Sequence, residues 1–474
     1  MYFKNSMIEG LTFDDVLIIP KYSDIFSRKT INVRTRFSRR IELNAPIVSA
    51  NMDTVTESEM AIAMALEGGI GIIHRFMTLE RQVEEIKRVK RAENILITDP
   101  VTISKNATFG EALEIMKKNS ITGLIVCDEK NFIDGILTSR DIRFQRNLNV
   151  KVAEIMTPRE KLVTAPKGVS LERAIEILDK HKVEKLPLVD RSGKLAGLIT
   201  ASDFMKLSKH QNAAKDKKGR FLAGAAIGVK DGMERTKQLV EAGADVLVID
   251  IAHGHHKSAI DLLKYLKKRF PKTDAVAGNI ATATGAKDLV KAGADAIKVG
   301  IGPGAACSTR IVAGAGMPQL TAILETKSVA GDVPIIADGG IKNSGDASKA
   351  IAAGASTVMI GNLLAGTKES PGEYFIENGA AIKIYRGLAS RETSLDREII
   401  EKNTERQHRE PEGISMKVPY KGETKKVISA LVDGLQSGMS YVGARNIKEF
   451  WKKAEFVKIS ESGYRESLPR PNGV

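Results

Sequence analysis

Three stretches in the second half of the chain share one pattern: EAGADVLVID at 241–250, KAGADAIKVG at 291–300 and AAGASTVMIG at 352–361. In each, the end of a helix stops at a glycine, and a short apolar run typical of a buried strand follows. Other buried strands are predicted at 45–50, 70–73, 223–226, 275–277 and 333–337, with helices between most of them, as at 232–242, 257–269 and 283–292. About eight such alternations predict an α/β fold, the (β/α)8 or TIM barrel. A doubly wound sheet is the alternative, and it is less favoured because no GxGxxG follows an early strand.

A different repeat interrupts this alternation between residues 93 and 210. GILTSRD at 135–141 returns as GLITASD at 197–203. Each copy, about 95–147 and 156–208, is too small to bury a core of its own, so we expect the two copies to pack on each other. The sequence therefore predicts a tandem module inserted into a barrel made of residues 1–92 and 211–474.

The composition narrows the class of partner. The 474 residues are 42% hydrophobic and 27% charged, which excludes disorder, a collagen-like chain and a disulfide scaffold. The net charge of +14 is dispersed over amphipathic segments with no arginine-rich tail, and this favours phosphate-bearing small ligands over nucleic acid. The two distant cysteines, the absence of an apolar run of membrane-spanning length and the absence of a signal-peptide core predict a cytoplasmic protein with no membrane partner.

The strongest chemical signal is the segment GIGPGAACSTR at 300–310, directly after a predicted strand. Its glycines allow the backbone to turn sharply and to expose N–H groups, which bind anions, or carbonyl groups, which bind a cation. Exposed N–H dipoles also stabilise a thiolate, so Cys307 is a candidate nucleophile. The alternative is that Cys307 is a small buried thiol, the expected fate of Cys127 in its apolar strand.

Two further loops follow predicted strands seven and eight, where barrels commonly hold phosphate on backbone N–H groups. In the first, Asp338 is suited to accept both hydroxyls of a ribose, or it caps a helix or forms a salt bridge. Asp250 ends another strand and is suited to bind a second ribose or to cap the next helix. The nearby His253, His255 and His256 lack a cysteine or carboxylate at zinc-site spacing, which favours solvated histidines over a metal site.

A polar stretch at about 385–420 follows the last predicted strand. At the catalytic face of a barrel, such a stretch is a mobile flap or a solvated insertion, and the sequence leaves both open.

Taken together, these motifs resemble those of the inosine monophosphate dehydrogenase and guanosine monophosphate reductase family over essentially the whole chain. The residues that carry the resemblance are LTFDDVLIIP at 11–20, MDTVTE at 52–57, GGIGIIHR at 68–75, the Cys307 loop, MPQLTAI at 317–323, IADGGIKNSGD at 336–346, LLAGTKESPGE at 363–373, YRG at 385–387, VPYKG at 418–422 and YVGAR at 441–445. The insert resembles a pair of cystathionine-β-synthase (CBS, or Bateman) modules. In such modules the residues at Thr138, Asp141, Thr200 and Asp203 hold the ribose of a regulatory adenine or guanine nucleotide.

The resemblance implies a mechanism. Cys307 attacks C2 of a purine nucleotide, hydride passes to NAD, and water hydrolyses the covalent thioimidate to xanthosine monophosphate. Thr309 lies beside the attacking water, and Arg397 serves as its general base, an unusual role for so basic a side chain.

The resemblance also implies binding roles. The ribose phosphate is bound by Asp338, Gly339, Gly340, Gly361, Asn362 and Tyr385. The base is contacted by Gly387, Leu388 and Glu412. NAD is faced by Asp250, Gly300 and Gly302. A monovalent cation, potassium, is held by the carbonyls of Gly302, Gly304 and Cys307, with Glu466 contributed by a neighbouring subunit of a homotetramer or octamer.

Several positions depart from the dehydrogenase pattern. Ala305 replaces a phosphate-binding serine, residues 389–395 replace the usual glycine-rich flap entry, Arg397 is followed by Glu398 instead of tyrosine, and Asn51 resembles the reductase pattern.

Three hypotheses about the function follow. The first is an IMP dehydrogenase, which the whole-length match, the insert and Arg397 favour. The second is a GMP reductase, which uses NADPH and the same cysteine. The third is a nucleotide sensor with an inactive barrel, disfavoured because an inert sensor has no need of Cys307.

Overall fold

The computed structural model describes residues 7–92, 96–97, 100–119, 121–201, 210, 212–390, 393 and 411–469. The chain forms two compact units. The barrel unit is discontinuous in sequence and consists of Met1–Ala92 and Asn212–Val474. The inserted unit is Glu93–Gln211, the part of the sequence in which the strand–helix alternation breaks.

The first part of the barrel unit holds two barrel strands, their helices and short flanking strands. These elements are β1 (Val16–Ile18), β2 (Thr35–Arg36), β3 (Glu42–Leu43), β4 (Ile47–Ser49), α1 (Ser58–Leu66), β5 (Ile70–Ile73) and α2 (Leu79–Arg91). The cap of α2 illustrates the local chemistry, because the hydroxyl of Thr78 accepts a hydrogen bond from the backbone N–H of Arg81.

The inserted unit contains two four-stranded sheets. Its elements are β6 (Leu96–Ile97), β7 (Thr102–Ile103), α3 (Phe109–Asn119), β8 (Gly123–Cys127), β9 (Ile133–Thr138), α4 (Ser139–Ile142), α5 (Val152–Ile155), β10 (Thr157–Pro158), β11 (Ala165–Pro166), α6 (Leu171–His181), β12 (Lys185–Val189) and β13 (Leu195–Thr200). One sheet has the order β10-β9-β8-β7 and the other β11-β12-β13-β6. The first strand of the unit thus completes the second sheet, which ties the two copies together. Cys127 is buried in β8.

The second part of the barrel unit supplies the other six barrel strands and a C-terminal extension. Its elements are β14 (Ala223–Ile227), α7 (Gly232–Ala242), β15 (Val246–Ile249), α8 (Lys257–Arg269), β16 (Asp274–Ile280), α9 (Ala283–Lys291), β17 (Ala296–Val299), α10 (Thr309–Val312), α11 (Gln319–Ala330), β18 (Ile335–Asp338), α12 (Ser344–Ala352), β19 (Thr357–Ile360), α13 (Asn362–Ala365), β20 (Phe375–Glu377), β21 (Ala380–Arg386), β22 (Ser415–Pro419), α14 (Thr424–Tyr441), α15 (Ile447–Lys453), β23 (Phe456–Lys458) and α16 (Glu461–Glu466).

Eight parallel strands close into a barrel in the order β14-β15-β16-β17-β18-β19-β4-β5, which confirms the predicted fold class. Every residue of β14, β15, β17 and β19 is buried, as expected of parallel strands covered on both faces. The glycines of the three repeated stretches, Gly243, Gly293 and Gly354, have φ angles of 103°, 99° and 113°. Each stops a helix in a conformation that a side chain disfavours and lets the chain turn into the next strand.

The polar stretch at 385–420 is anchored at both ends. Strand β21 pairs antiparallel with β22, with Tyr385 opposite Met416 and Arg386 opposite Ser415. The two ends of the stretch therefore lie side by side next to the barrel.

Among the described residues, no helix combines the length and the apolarity that crossing a membrane would require.

Candidate active site

A cavity of about 1580 Å³ opens where the carboxyl ends of the barrel strands meet. It is lined by fifteen of the residues singled out in the sequence: Asp250, Gly300, Gly302, Gly304, Cys307, Thr309, Asp338, Gly339, Gly340, Gly361, Asn362, Tyr385, Gly387, Leu388 and Glu412. The volume exceeds that of a typical small-molecule pocket, so the cavity has room for two ligands side by side.

The loop after β17 carries the candidate nucleophile Cys307 and forms one wall of the cavity. Gly300 has a φ of 146°, and a Cβ atom there would lie 2.0 Å from the carbonyl oxygen of Asp338. Only glycine therefore permits the ends of β17 and β18 to approach this closely. The turn that follows leaves Cys307 exposed, so the alternative of a sealed structural thiol does not apply.

Cys307 begins a chain of three polar side chains. Its Sγ donates to Thr309 Oγ1 at 3.2 Å, and Thr309 Oγ1 donates to Glu412 Oε2 at 2.8 Å. Backbone hydrogen bonds fix the two segments, since the N–H of Ser308 donates to the carbonyl of Glu412 at 2.9 Å. The arrangement offers the thiol proton a path to a carboxylate.

Asp338, at the end of β18, is hydrogen-bonded through only one of its two carboxylate oxygens. Its Oδ2 accepts hydrogen bonds from Lys298 Nζ and from Asn279 Nδ2, both at 2.8 Å. Among the described residues, nothing donates to its Oδ1. The salt bridge foreseen as an alternative thus exists, and it leaves one carboxylate oxygen open to a hydroxyl of a ligand.

Asp250, at the end of β15, forms a buried ion pair instead of capping the next helix. Its Oδ2 accepts from Arg75 Nε at 3.0 Å, and both side chains are largely buried. Burial alone would raise the pKa of this carboxyl, but the charges of Arg75 and Lys298 outweigh it and hold the pKa below its usual value. The carboxylate is therefore a permanent acceptor on its side of the cavity.

Tyr385 closes the cavity beside the loop after β19. Its ring is buried, its hydroxyl lies 3.5 Å from Met52 Sδ, and a Cβ at Gly361 would stand 2.8 Å from that hydroxyl. Burial raises the pKa of Tyr385, and the nearby carboxylate of Asp338 adds to the effect. The hydroxyl therefore stays protonated and can donate to a phosphate or hydroxyl oxygen.

Of the cavity residues that the sequence did not reveal, three contact the carboxylate of Asp338 or Asp250: Lys298, Asn279 and Arg75. A signal existed for two of them. A lysine in the middle of the apolar run AIKVG, and an arginine two residues after the strand Ile70–Ile73, both break an otherwise apolar pattern. Buried charges of this kind need a partner, which marks them as candidates for a polar site.

The other predicted site residues do not line the cavity or cannot be assigned to it. Glu466 lies in α16 and is absent from the cavity wall of its own chain. Arg397 and Asp203 fall outside the described residues. In the inserted unit, the backbone N–H and hydroxyl of Thr138 both donate to Asp141 Oδ2 at 2.7 Å, forming a capping box on α4. Thr200 ends β13, the equivalent strand of the second copy.

The chemistry of the donors limits which cofactors fit. The described residues contain no cluster of three or more histidine, cysteine or acidic side chains suited to a metal ion. His255 instead pairs with Asp288 at 2.8 Å, and His256 accepts from the N–H of Ser258 at the start of α8. A cation in the 300–307 loop would therefore rely on carbonyl oxygens, which are neutral hard donors suited to an alkali ion. For a dinucleotide, the cavity offers the ionised Asp250 and the backbone of Gly300 and Gly302.

Comparisons with known proteins show which family the chain resembles over its length. The IMP dehydrogenase / GMP reductase domain matches residues 10–470. An inosine-5'-monophosphate dehydrogenase of Aquifex aeolicus is 52% identical over 466 residues, which cover 97% of this chain and 95% of the relative. One of Nitrosopumilus maritimus is 50% identical over 469 residues, covering 97% and 98%. A crystal structure of GMP reductase from Trypanosoma brucei in complex with guanosine 5'-monophosphate has a TM-score of 0.91 and 44% identity, covering 99% of both chains.

Proposed function

Because this chain belongs to the IMP dehydrogenase / GMP reductase family, we propose that it oxidises inosine 5'-monophosphate to xanthosine 5'-monophosphate with NAD in guanine nucleotide biosynthesis. The observation that carries the proposal is the exposed Cys307 on the loop after β17, in one cavity with the carboxylates of Asp338 and Asp250. Curated dehydrogenases at 52% and 50% identity over nearly the whole chain support this direction of the reaction.

In the first half of the reaction, the sulfur of Cys307 forms a bond to C2 of the purine, and the hydrogen on C2 leaves with its electron pair. When NAD is bound, it would supply the acceptor for that hydride. The thiol proton moves through the hydroxyl of Thr309 to Glu412, along the two hydrogen bonds described above. The product of this half is a thioimidate between Cys307 and the nucleotide.

In the second half, water adds to C2 and the carbon–sulfur bond breaks, which releases xanthosine monophosphate and restores Cys307. We propose that Thr309 holds that water and that Arg397 is the base that takes its proton. The test is the Arg397→Ala variant, which should accumulate the purine adduct on Cys307 while hydride transfer stays fast. Mass spectrometry of protein quenched during turnover measures the adduct. Equal losses in both steps would remove Arg397 from this role.

Binding roles follow from the cavity wall. We propose that Asp338 accepts the ribose hydroxyls through its open Oδ1, and that Gly339, Gly340, Gly361, Asn362 and Tyr385 hold the phosphate. Gly387, Leu388 and Glu412 contact the base. Asp250, Gly300 and Gly302 face NAD. The carbonyls of Gly302, Gly304 and Cys307, together with Glu466 of the partner subunit, would hold potassium, and this would stabilise the loop that carries the nucleophile.

The inserted unit is proposed to be a regulatory pair of CBS modules in a cytoplasmic homotetramer. Thr138, Asp141, Thr200 and Asp203 would hold the ribose of adenine or guanine nucleotides. The capping box on α4 supports this placement for the first copy, since it fixes both side chains at the end of β9. Isothermal titration of ATP and GTP into the wild type and an Asp141→Ala variant tests it, and unchanged binding of both nucleotides would contradict it.

A second candidate function is the NADPH-dependent reduction of GMP to IMP and ammonia. The 44% identity to the Trypanosoma brucei GMP reductase over 99% of both chains favours it, as does Ala305 in place of a phosphate-binding serine. The reductase would use Cys307 and the same thioimidate, and it would need no water-activating flap.

One assay separates the candidates. The near-ultraviolet absorbance of reduced nicotinamide should rise when the protein is mixed with IMP and NAD. A fall with GMP and NADPH, without a rise in the first mixture, would favour the reductase. No change in either mixture would favour a nucleotide sensor.

A further inference from the structure

A buried lysine binds the segment that follows α13, the short helix after the last barrel strand. Lys383 is the fourth residue of β21, and only 2% of its surface is exposed. Its Nζ donates hydrogen bonds to the carbonyl oxygens of Thr367 at 3.0 Å and of Ser370 at 2.7 Å. Both acceptors are neutral, and no acidic side chain among the described residues forms a salt bridge with this ammonium group. Lys383 is therefore held by backbone carbonyls instead of an ion pair.

This arrangement is an expensive way to fill the space. Burial lowers the pKa of Lys383, and the charges of Glu369 and Glu59 oppose that effect without cancelling it. An apolar side chain of the same length would fill the same space without the cost of burying a charge. The two hydrogen bonds to the carbonyls are thus the specific contribution of the lysine.

The segment that Lys383 binds has few other ways to keep its shape. Helix α13 has only four residues, Asn362–Ala365, and one helical turn is not stable by itself. Its backbone orientation therefore depends on the groups that hold its two ends. After its last turn, the hydroxyl of Ser370 donates to the carbonyls of Ala365 at 2.7 Å and of Thr367 at 2.8 Å. Lys383 joins this folded-back segment to β21.

The same face of β21 also contacts the other end of α13. Side chains alternate along a strand, so Lys383 and Tyr385 share a face, and both are buried, whereas Ile384 between them is exposed. The hydroxyl of Tyr385 lies beside Gly361, where an added Cβ would stand only 2.8 Å away. One strand face thus contacts the residue before α13 through Tyr385 and the segment after it through Lys383.

We propose that Lys383 is a positioning residue for the 5'-phosphate of the purine nucleotide. By holding the carbonyls of Thr367 and Ser370, it fixes the backbone of the turn that precedes them. That turn begins with Gly361 and Asn362, to which the proposed function assigns the phosphate, and the inference rests on that assignment. Lys383 is not among the residues that line the cavity, so it acts through the backbone and does not touch the ligand.

The test compares a nucleotide with the nucleoside that lacks its phosphate. It uses the full-length Cys307→Ala protein, which cannot form the covalent bond, so that binding is measured at equilibrium. Isothermal titration gives the Kd of IMP, and competition with IMP gives the Kd of inosine. Lys383→Met removes both hydrogen bonds at similar length. It should weaken IMP by about tenfold or more, the effect of impairing a hydrogen bond to a charged group, and should change the Kd of inosine by less than about twofold.

Two further variants complete the design. Lys417 lies on the paired strand β22, its side chain is 54% exposed, and it forms a surface ion pair with Glu377. Lys417→Met removes the same charge from the same small sheet and should leave the binding of both ligands unchanged. If Lys383→Met fails to fold, Lys383→Gln serves instead, because its amide can still donate to a carbonyl. It should weaken IMP by a smaller factor and again spare inosine.

The proposal is overturned if the substitution at Lys383 weakens IMP and inosine by the same factor, since the lysine would then support the fold of the site in general. It is also overturned if both constants stay unchanged. A failure of the proposed function looks different. If the Cys307→Ala protein binds GMP but not IMP, the dehydrogenase is excluded, and GMP with guanosine tests Lys383 in the same way. If the protein with Lys383 intact binds nucleoside as tightly as nucleotide, the phosphate assignment and this inference both fall.

Discussion

Thr309 donates a hydrogen bond of 2.8 Å to Glu412, and this contact joins the loop after β17 to the segment that returns into β22. The two residues are far apart in sequence, yet they connect the thiol of Cys307 to a carboxylate. The hydroxyl of Thr309 thus links the nucleophile to a proton acceptor in this part of the cavity. Substituting Thr309 is therefore a direct test of the proton path.

Replacing Thr309 with valine should lower kcat by about a hundredfold, because the general-acid–base contribution of the relay is lost while the shape of the side chain is kept. Steady-state kinetics with IMP and NAD measure the effect. Thr309→Ser retains the hydroxyl and serves as the matched control, with a rate near that of the wild type. A Thr309→Val enzyme with wild-type kcat would show that the thiol proton takes another path.

The two cysteines should differ in reactivity with an alkylating reagent at neutral pH. Cys307 is exposed, whereas burial and the nearby charges of Asp128 and Asp134 raise the pKa of Cys127 to about 11. Cys127 therefore remains a protonated, unreactive thiol until strongly alkaline pH. Peptide mass spectrometry should find the label on Cys307 and not on Cys127, with loss of activity in proportion.

The Cys127→Ala variant is the control for this labelling, since it should lose activity at the same rate as the wild type. Bound IMP should protect Cys307. If Cys127 is labelled first, or if IMP does not slow inactivation, then the reactive thiol is not in the cavity that binds IMP, and the prediction is contradicted.

Replacing Gly300 with alanine should destabilise the barrel by about 3 kcal/mol or more, because the new Cβ would stand 2.0 Å from the carbonyl oxygen of Asp338. Gly331 is the matched control, since its φ of 57° is also positive but a Cβ added there would meet no atom within 4 Å. Gly331→Ala should cost less, about 1–3 kcal/mol, because it imposes only a backbone conformation that L side chains rarely adopt. Urea unfolding measures both. Equal losses would mean that β17 and β18 tolerate separation at this point.

The ion pair of Asp250 and Arg75 should make stability depend on pH. Because the folded state holds the pKa of Asp250 below its unfolded value, the pair stabilises the barrel at neutral pH, and that stabilisation is lost as acid protonates the carboxylate. The difference in unfolding free energy between wild type and Asp250→Asn should be largest near pH 7 and shrink below about pH 4. Urea titrations across this range measure it. A difference that grows on acidification would contradict the assigned direction.

The sequence predicted the barrel because the signal is local and repeated. A glycine-terminated helix followed by an apolar strand occurs three times in nearly the same letters, and the helices Gly232–Ala242 and Lys257–Arg269 have the predicted bounds. The predicted strands then placed Cys307, Asp338 and Asp250 at or after strand ends, and the resemblance supplied a role for each. Each of these inferences needs only neighbouring residues or a recognisable motif.

The tertiary structure decided which side chains neutralise one another. Lys298, Asn279 and Arg75 lie on three different strands or strand ends, and no spacing along the chain reveals that they meet Asp338 and Asp250. Glu412 likewise reaches Thr309 only because β22 returns beside β21. Barrel closure brings these groups within hydrogen-bonding distance in a buried space, where a charge without a partner is costly. The amino-acid sequence by itself therefore determined the positions of the strands and the identity of the candidate nucleophile. The ion pairs and hydrogen bonds of the cavity form only when the tertiary structure brings the eight strand ends together.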